Sequence, residues 1–127
     1  MKTIGGFSPA FFHYGEDDNY CHRVQYFKMK IGVVPDTYIY HDREDRPASI
    51  FDEEIVSLQR QYAVWCSNPN KPTDIDRLIG QFKNKALKYS LLRNQKEVKN
   101  SREILKFLQN RKHSIKTAYK DSISDKT

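Results

Sequence analysis

The stretch TDIDRLIGQFKNKALKY, residues 73–89, repeats apolar side chains at helical spacing and decides the fold class. Its apolar members recur every three or four residues: Ile75, Leu78, Ile79, Phe82, Ala86 and Tyr89. This period places them on one face of an α-helix, and Thr73 or Asp74 is positioned to cap the first turn. The sequence therefore predicts an amphipathic helix that buries one stripe and leaves its lysines in solvent.

Further helices are predicted on both sides of this stretch. Upstream, Ser49 or Asp52 is a candidate cap for a helix that runs to about Cys66, and the break SNPNKP at residues 67–72 ends it. Downstream, apolar residues at helical spacing predict a helix over residues 96–113. The last dozen residues are polar, and we expect them to fray.

Length and composition indicate one soluble globular domain. The 127 residues are 38% hydrophobic and 30% charged, and no run approaches the roughly 20 apolar residues that cross a bilayer. The N-terminus lacks the apolar stretch of a signal peptide. Cys21 and Cys66 have no metal-type spacing, which favours free thiols in a reducing cytoplasm.

Charge is distributed unevenly along the chain. Residues 1–70 carry 7 Lys and Arg against 10 Asp and Glu, whereas residues 71–113 carry 12 against 4. Basic helices of this kind fit a nucleic-acid backbone or an anionic membrane surface, and a solvated helix face explains them equally well. Nucleic acid is disfavoured because the aromatic residues of the basic segment lie at core spacing, not on a stacking platform.

The first third of the chain combines a loop, a helix and two short apolar runs. Gly5 and Gly6 indicate a loop, and a helix is predicted over residues 16–28, with three acids in its first turn. Two strands are predicted over residues 31–34 and 37–41, where β-branched and aromatic residues flank a Pro-Asp turn. We therefore expect an α+β protein, mostly helical, with a two-stranded element.

Several short patterns follow one another in a fixed order within residues 3–46. They are Gly-Gly-Phe (5–7), Phe-Phe (11–12), Tyr-Gly-Glu-Asp (14–17), Arg23, Pro35 and Tyr-His (40–41). Together they resemble the acceptor-side, C-terminal part of the catalytic domain of bacterial family 2, GT-A-type glycosyltransferases. The resemblance implies a partial GT-A domain at residues 1–46, a helical extension at residues 47–127, and a role in polysaccharide biosynthesis.

The resemblance also implies roles for individual residues in an inverting sugar transfer. Asp17 matches the general base, with Glu16 shaping the acceptor pocket. The alternative is that Glu16, Asp17 and Asp18 simply form a solvated helix N-terminus. Family members commonly carry a second acid where this chain has Asn19.

Substrate and metal contacts are implied on both sides of the helix. Tyr14 belongs to the matching pattern on its N-terminal side. His41 corresponds to a contact with the metal or the diphosphate, and Arg43 and Arg46 are positioned to clamp phosphate oxygens. A structural histidine, and local pairing of both arginines with the neighbouring acids, are the alternatives that the sequence leaves open.

A complete enzyme of this kind needs a Mg or Mn ion, a nucleotide-sugar donor and a saccharide or lipid-linked acceptor. The donor-binding half lies upstream in the family, so we expect this chain to be inactive alone as a truncated domain. Lipid-linked acceptors favour a peripheral site at the inner face of the membrane. The alternative function is a non-catalytic remnant or interaction module whose basic helices bind an anionic membrane surface or nucleic acid.

Overall fold

A computed structural model describes residues 4–11, 14–40 and 53–124. These residues form four α-helices: α1 (Glu16–Tyr26), α2 (Glu54–Ser67), α3 (Ile75–Leu91) and α4 (Gln95–Ile123). The α4 helix is central, because α3 and α2 both pack along it and α1 also contacts it. The fold is therefore a small helical assembly built around one long helix.

The helix predicted from the opening stretch is confirmed as α3. The buried side chains Ile75, Leu78, Ile79 and Phe82 lie on its predicted apolar face. Its cap is Asp74, whose carboxylate accepts hydrogen bonds from the backbone N–H groups of Asp76 (2.9 Å) and Arg77 (3.5 Å). Local capping and the apolar stripe thus specify this helix together.

A tight turn joins α3 to α4 in an antiparallel helical hairpin. Arg93 takes a left-handed conformation (φ 53°). The N–H groups of Asn94 and Arg93 bond to the carbonyls of Tyr89 and Ser90 at 3.0 and 3.1 Å, which is the Schellman arrangement. The Asn94 side chain then caps α4 by accepting the N–H of Glu97 at 3.2 Å. Most backbone groups of the turn therefore have a partner within it.

The main core lies between α2, α3 and α4. Its buried members are Ala63, Cys66, Ile75, Leu78, Ile79, Phe82, Ile104, Leu108 and Ile115. Leu108 is completely inaccessible to solvent, and the Tyr62 ring meets the Phe82 ring edge-on at 5.3 Å between centroids. These contacts fix both arms of the hairpin against α2.

The α4 helix continues beyond its predicted end at about residue 113, and the expected fraying of the last dozen residues is wrong up to Ile123. Its last turns bury Ile115, Ala118 and Ser122, which are spaced three and four residues apart. Packing of this narrow face stabilises a helix whose sequence is otherwise polar.

Polar contacts attach α1 to the rest of the molecule. The buried amide of Asn19 donates to the hydroxyls of Ser67 (3.2 Å) and Ser122 (3.4 Å), which belong to α2 and α4. Both hydroxyls also donate to carbonyls of their own helices, at Val64 and Ala118. One buried side chain thereby links three helices.

Two arginines hold the segment before α1. The buried guanidinium of Arg23 donates to the carbonyls of Ile4 (2.7 Å) and Gly6 (2.6 Å). Desolvation by burial lowers the pKa of Arg23 from its ordinary value. From α4, Arg111 donates to the carbonyl of Ala10. The predicted loop at Gly5 and Gly6 is therefore held by Arg23 of α1, and the residues just after it are held by Arg111 of α4.

The predicted two-stranded element is wrong, and so is the α+β fold class. No strand occurs in the described residues, and residues 31–40 run without regular structure apart from a turn at Pro35 and Asp36. Val33 and Ile39 are 89% exposed, and Tyr40 is 92% exposed. A β-branched run favours extended backbone, but a strand also needs a hydrogen-bonded neighbour. Among the described residues, none outside this segment forms a backbone hydrogen bond with it.

The predicted domain boundary at residues 46 and 47 lies outside the described residues and stays a prediction. Hydrogen bonds nevertheless join the two predicted parts, as the Asn19 contacts with Ser67 and Ser122 show. Among the described helices, none is both long and apolar enough to cross a membrane.

Candidate functional site

The predicted catalytic acids lie on the first turn of α1. Asp17 is exposed, and its carboxylate accepts the backbone N–H of Asp18 at 2.9 Å. Glu16 is half-buried, and one of its carboxylate oxygens is buried without a hydrogen-bond partner in the described part of the chain. The arrangement is that of an acidic helix N-terminus, and the role of Asp17 as a base stays a prediction.

Gly15 sets the distance between α1 and α2. It has a φ of 95°, in the left-handed region, and precedes the first residue of α1. A Cβ atom at this position would lie 3.0 Å from the Val64 side chain and 3.3 Å from that of Arg60. A side chain here would therefore meet both conformational strain and steric conflict with α2.

Tyr14, predicted to bind substrate, lies directly before this glycine. Its half-exposed ring faces Arg60, whose guanidinium carbon is 4.9 Å from the ring centroid. This is cation–π distance, so the ring orients the guanidinium without neutralising its charge. The other predicted contacts, His41, Arg43 and Arg46, lie outside the described residues.

A groove of about 740 Å³ lies beside this contact, between α1, α2 and the segment that follows α2. The side chains that give it its chemistry are Asp18 and His22 from α1, Arg60 and Trp65 from α2, and Asn68 and Lys71 from the following segment. Below, it is called the α1–α2 groove. Asp17 is not among its lining residues, although the neighbouring Asp18 is.

Local hydrogen bonds hold the wall of the α1–α2 groove that is formed by the segment after α2. The Asn70 amide donates to the carbonyl of His22 at 2.9 Å, which ties the segment after α2 to α1. The Asn68 side chain accepts the N–H of Asn70 at 2.9 Å, as in an Asx turn. The wall that carries Lys71 is therefore fixed to both helices.

A second surface feature lies where α3 and α4 meet. Leu87, Leu91 and Leu92 are exposed by 64%, 78% and 64%, well above the core leucines of the same hairpin. Four exposed cations accompany them: Lys83, Lys88, Arg93 and Lys96. These seven residues are called the hairpin tip.

The cations of the hairpin tip differ from those further along α4. Lys112 and Lys116 both bind the carboxylate of Asp76, at 2.5 and 2.6 Å. These contacts lower the pKa of Asp76. None of the four tip cations forms an ion pair with a described residue. Their charge is therefore available to an external partner.

Neither the Cys66 thiol nor a cluster of metal-binding side chains provides a reactive centre in the described residues. Burial raises the pKa of the Cys66 thiol to about 11, with Asp74 adding to the effect, so this cysteine is neutral and unreactive near neutrality. Within residues 4–11, 14–40 and 53–124, no three His, Cys, Asp or Glu side chains are grouped to hold a metal ion. The divalent cation implied by the sequence stays a prediction, with its one named ligand, His41, outside those ranges.

Comparison with protein families, with curated proteins and with solved structures finds no match. The resemblance to GT-A-type glycosyltransferases is therefore wrong as an assignment of fold and family. The residues that suggested strands form none where they are described, and no family model supports the match. Short patterns such as Tyr-Gly-Glu-Asp here mark a glycine-initiated helix with an acidic first turn.

Sequence reasoning missed the residues that make up both surface features. Arg60 and Trp65 lie within a predicted helix, and their place in one groove is evident only when α1 lies beside α2. The hairpin tip left a clearer trace: the adjacent Leu91 and Leu92 lie where the apolar stripe of α3 has already ended. Exposed leucines next to a helix break, flanked by lysines, are the pattern that identifies it.

Proposed function

We propose that this chain is an interaction module whose hairpin tip binds an anionic membrane surface. The observation that supports this function is the combination at the tip: three largely exposed leucines beside four cations without ion-pair partners among the described residues. Between residues 83 and 99 the chain carries six Lys and Arg and one Glu. Apolar side chains beside unpaired positive charge match the interface of an anionic bilayer.

The energies are of the size needed for reversible binding. A leucine side chain gains about 1.5–3 kcal/mol when fully removed from water, and each basic residue near anionic lipid contributes about 1 kcal/mol. Partial immersion of the leucines reduces the first contribution, and loss of rotational and translational freedom opposes both. The sum is a weak, salt-sensitive association, not permanent insertion.

The geometry of the turn lowers the cost of approaching lipid. Unpaired backbone groups are expensive to move out of water. At the tip, the carbonyls of Tyr89 and Ser90 already accept hydrogen bonds, and Asn94 caps the start of α4. Lysine and arginine side chains are long enough to keep their charged ends in the headgroup layer while the leucines enter.

Two other partners fit the hairpin tip less well. A second copy of this chain would bring the same unpaired cations against one another, which opposes association. Nucleic acid would satisfy the cations but not the leucines, which have no flat face to stack on bases, and Tyr89 beside them is half-buried. Anionic lipid is the partner that uses both parts of the surface.

The proposed location is peripheral, at the cytoplasmic face of a membrane. Anionic lipids give this leaflet its negative surface potential. Glycosyl transfer remains a prediction from sequence patterns alone, because the fold to which those patterns belong is not formed by the described residues. Binding at the hairpin tip needs neither a sugar donor nor a metal.

Vesicle co-sedimentation tests the proposal. Vesicles of phosphatidylcholine alone are compared with vesicles that also contain phosphatidylserine, and the chain is expected in the pellet of the second. Replacing Leu87, Leu91 and Leu92 by serine should weaken this binding by about a hundredfold, at roughly 1 kcal/mol for each partly immersed side chain. The three leucines are exposed, so the helical circular dichroism should stay unchanged.

The matched control replaces two exposed apolar residues elsewhere. The variant Val33→Ser with Ile39→Ser removes side chains that are both 89% exposed and lie outside the hairpin tip. It should bind anionic vesicles like the unmodified chain. Equal partition into both kinds of vesicle, or equal loss of binding in the serine variants of both regions, would overturn the proposal.

A further inference from the structure

The α1–α2 groove goes beyond the membrane surface proposed above, because it lies on different elements and has different chemistry. Three side chains that can carry positive charge reach it from three segments: His22 from α1, Arg60 from α2 and Lys71 from the segment after α2. Asp18 is the one carboxylate among its described lining residues. The groove therefore has an excess of hydrogen-bond donors suited to an anion.

The described residues do not pair these cations with carboxylates. None of His22, Arg60 and Lys71 forms an ion pair with a described carboxylate. In the His22 ring, Nδ1 is buried without a hydrogen-bond partner among the described residues. Arg60 touches the Tyr14 ring, a contact that restrains its guanidinium without hydrogen-bonding its N–H groups.

An aromatic ring from the same helix as the arginine also lines the groove. Trp65 is 44% exposed although it is part of a helix that packs on the core, and it lines the groove. Its indole meets the Tyr62 ring edge-on, with 5.4 Å between centroids, and this contact restrains the position of the indole. A fixed, half-exposed indole offers a flat apolar face to a planar base or to the C–H face of a sugar.

We infer that the α1–α2 groove binds a phosphate ester carried on a ring, with Arg60 and Lys71 holding the phosphate and Trp65 stacking on the ring. Arg60 supplies paired N–H groups that match two phosphate oxygens, and Lys71 supplies a point charge on the opposite wall. The exposed amide of Gln61, which also lines the groove, can hydrogen-bond to ring hydroxyls or amines. Nucleotides and sugar phosphates share this chemistry.

Trp65 is the one tryptophan of the chain, so its fluorescence reports directly on this groove. The 127-residue chain is titrated with AMP, ribose-5-phosphate, ribose and inorganic phosphate. Both ring phosphates should change the emission saturably, at least about tenfold more tightly than either ribose or inorganic phosphate. Tighter binding of AMP identifies a base as the stacking ring, whereas equal binding of the two ring phosphates identifies the sugar.

Three variants separate phosphate binding from folding. Arg60→Gln should weaken both ring phosphates by at least about tenfold, and Arg60→Lys should bind with intermediate affinity because charge remains while the paired N–H geometry is lost. If Arg60→Gln fails to fold, Lys71→Gln replaces it as the test of phosphate binding, because Lys71 is exposed. Arg77→Gln on α3 is the control, since Arg77 is exposed and lies outside the groove.

Three results would overturn the inference. The first is the absence of a saturable change with either ring phosphate up to about 10 mM. The second is equal binding of ring phosphates and inorganic phosphate, which would remove the role of Trp65. The third is equal affinity in the Arg77→Gln variant and in folded Arg60→Gln or Lys71→Gln. Vesicle binding at the hairpin tip is unaffected by any of these outcomes, because no groove residue belongs to it.

Discussion

The α3–α4 hairpin and the α1 segment are held in this molecule by different kinds of contact. The hairpin is joined to α2 by a continuous apolar core that contains Leu108 and Phe82. The α1 segment is attached mainly through directed hydrogen bonds, from Asn19 to Ser67 and Ser122 and from Arg23 to the preceding loop. Apolar packing tolerates small shifts, whereas a buried amide that loses its hydrogen-bond partner lowers the free energy of unfolding.

This difference determines whether the hairpin tip and the α1–α2 groove depend on the attachment of α1. The hairpin tip is presented by two helices that pack on the apolar core, so it does not depend on α1. The α1–α2 groove exists only while α1 is docked, because Asp18 and His22 form one of its walls. Loss of α1 docking should therefore abolish the groove and spare the tip.

The largest expected effect is on the core of the hairpin. Leu108→Ala removes a side chain with no exposed surface and should lower the free energy of unfolding by about 2–5 kcal/mol. Chemical denaturation followed by circular dichroism measures it. The control is Leu87→Ala, an exposed leucine of the same hairpin, which should change stability by no more than about 0.5 kcal/mol. Equal losses in the two variants would show that Leu108 is not the centre of the core.

The next effect concerns the polar attachment of α1. Asn19→Ala removes both amide hydrogen bonds and should cost about 1–3 kcal/mol, confined to α1 and the segment before it. Hydrogen exchange should accelerate in residues 14–26 while α3 and α4 keep their protection. Asp17→Ala, an exposed neighbour on the same helix, is the matched control and should leave exchange unchanged. Faster exchange throughout the hairpin would contradict the separation of the two regions.

This contrast also explains what the sequence could and could not predict. The apolar period of α3 is visible in the sequence because burial of an apolar stripe is the usual reason for such a repeat. Asn19, Ser67 and Ser122 gave no such indication, since polar residues in helices are normally solvated. Their mutual hydrogen bonds depend on three helices meeting at one point, which no local pattern encodes.

The wrong prediction of strands at residues 31–40 arose in the opposite way, from a local pattern without the tertiary contact it requires. Runs such as IGVV and TYIY have the composition of strands, but composition describes the preference of a backbone and not the presence of a neighbouring strand. The glycosyltransferase resemblance failed for a related reason, because short patterns in order were read as evidence of a sheet that the described residues do not form. The α1–α2 groove is recognised only from the packing of its helices, and the hairpin tip only from the exposure of its leucines.

The smallest expected effect follows from this correction. Val33→Ser together with Ile39→Ser should change the free energy of unfolding by less than about 0.5 kcal/mol, since both side chains are 89% exposed. Thermal unfolding measures it against the unmodified chain. A loss comparable to that of Leu108→Ala would mean that these apolar residues pack in solution, and the contrast between a buried hairpin and an exposed apolar segment would fail.

Immersion of the hairpin tip is tested most directly by a tryptophan placed in it. In a Trp65→Phe background, which removes the one natural tryptophan, Leu91→Trp is compared with Val33→Trp at another exposed site. With vesicles that contain phosphatidylserine, the emission of the Leu91→Trp variant should shift to shorter wavelength and become protected from iodide, while that of the Val33→Trp variant stays unchanged. An unshifted, fully quenchable emission from the tip while the chain sediments with the vesicles would contradict leucine-mediated binding.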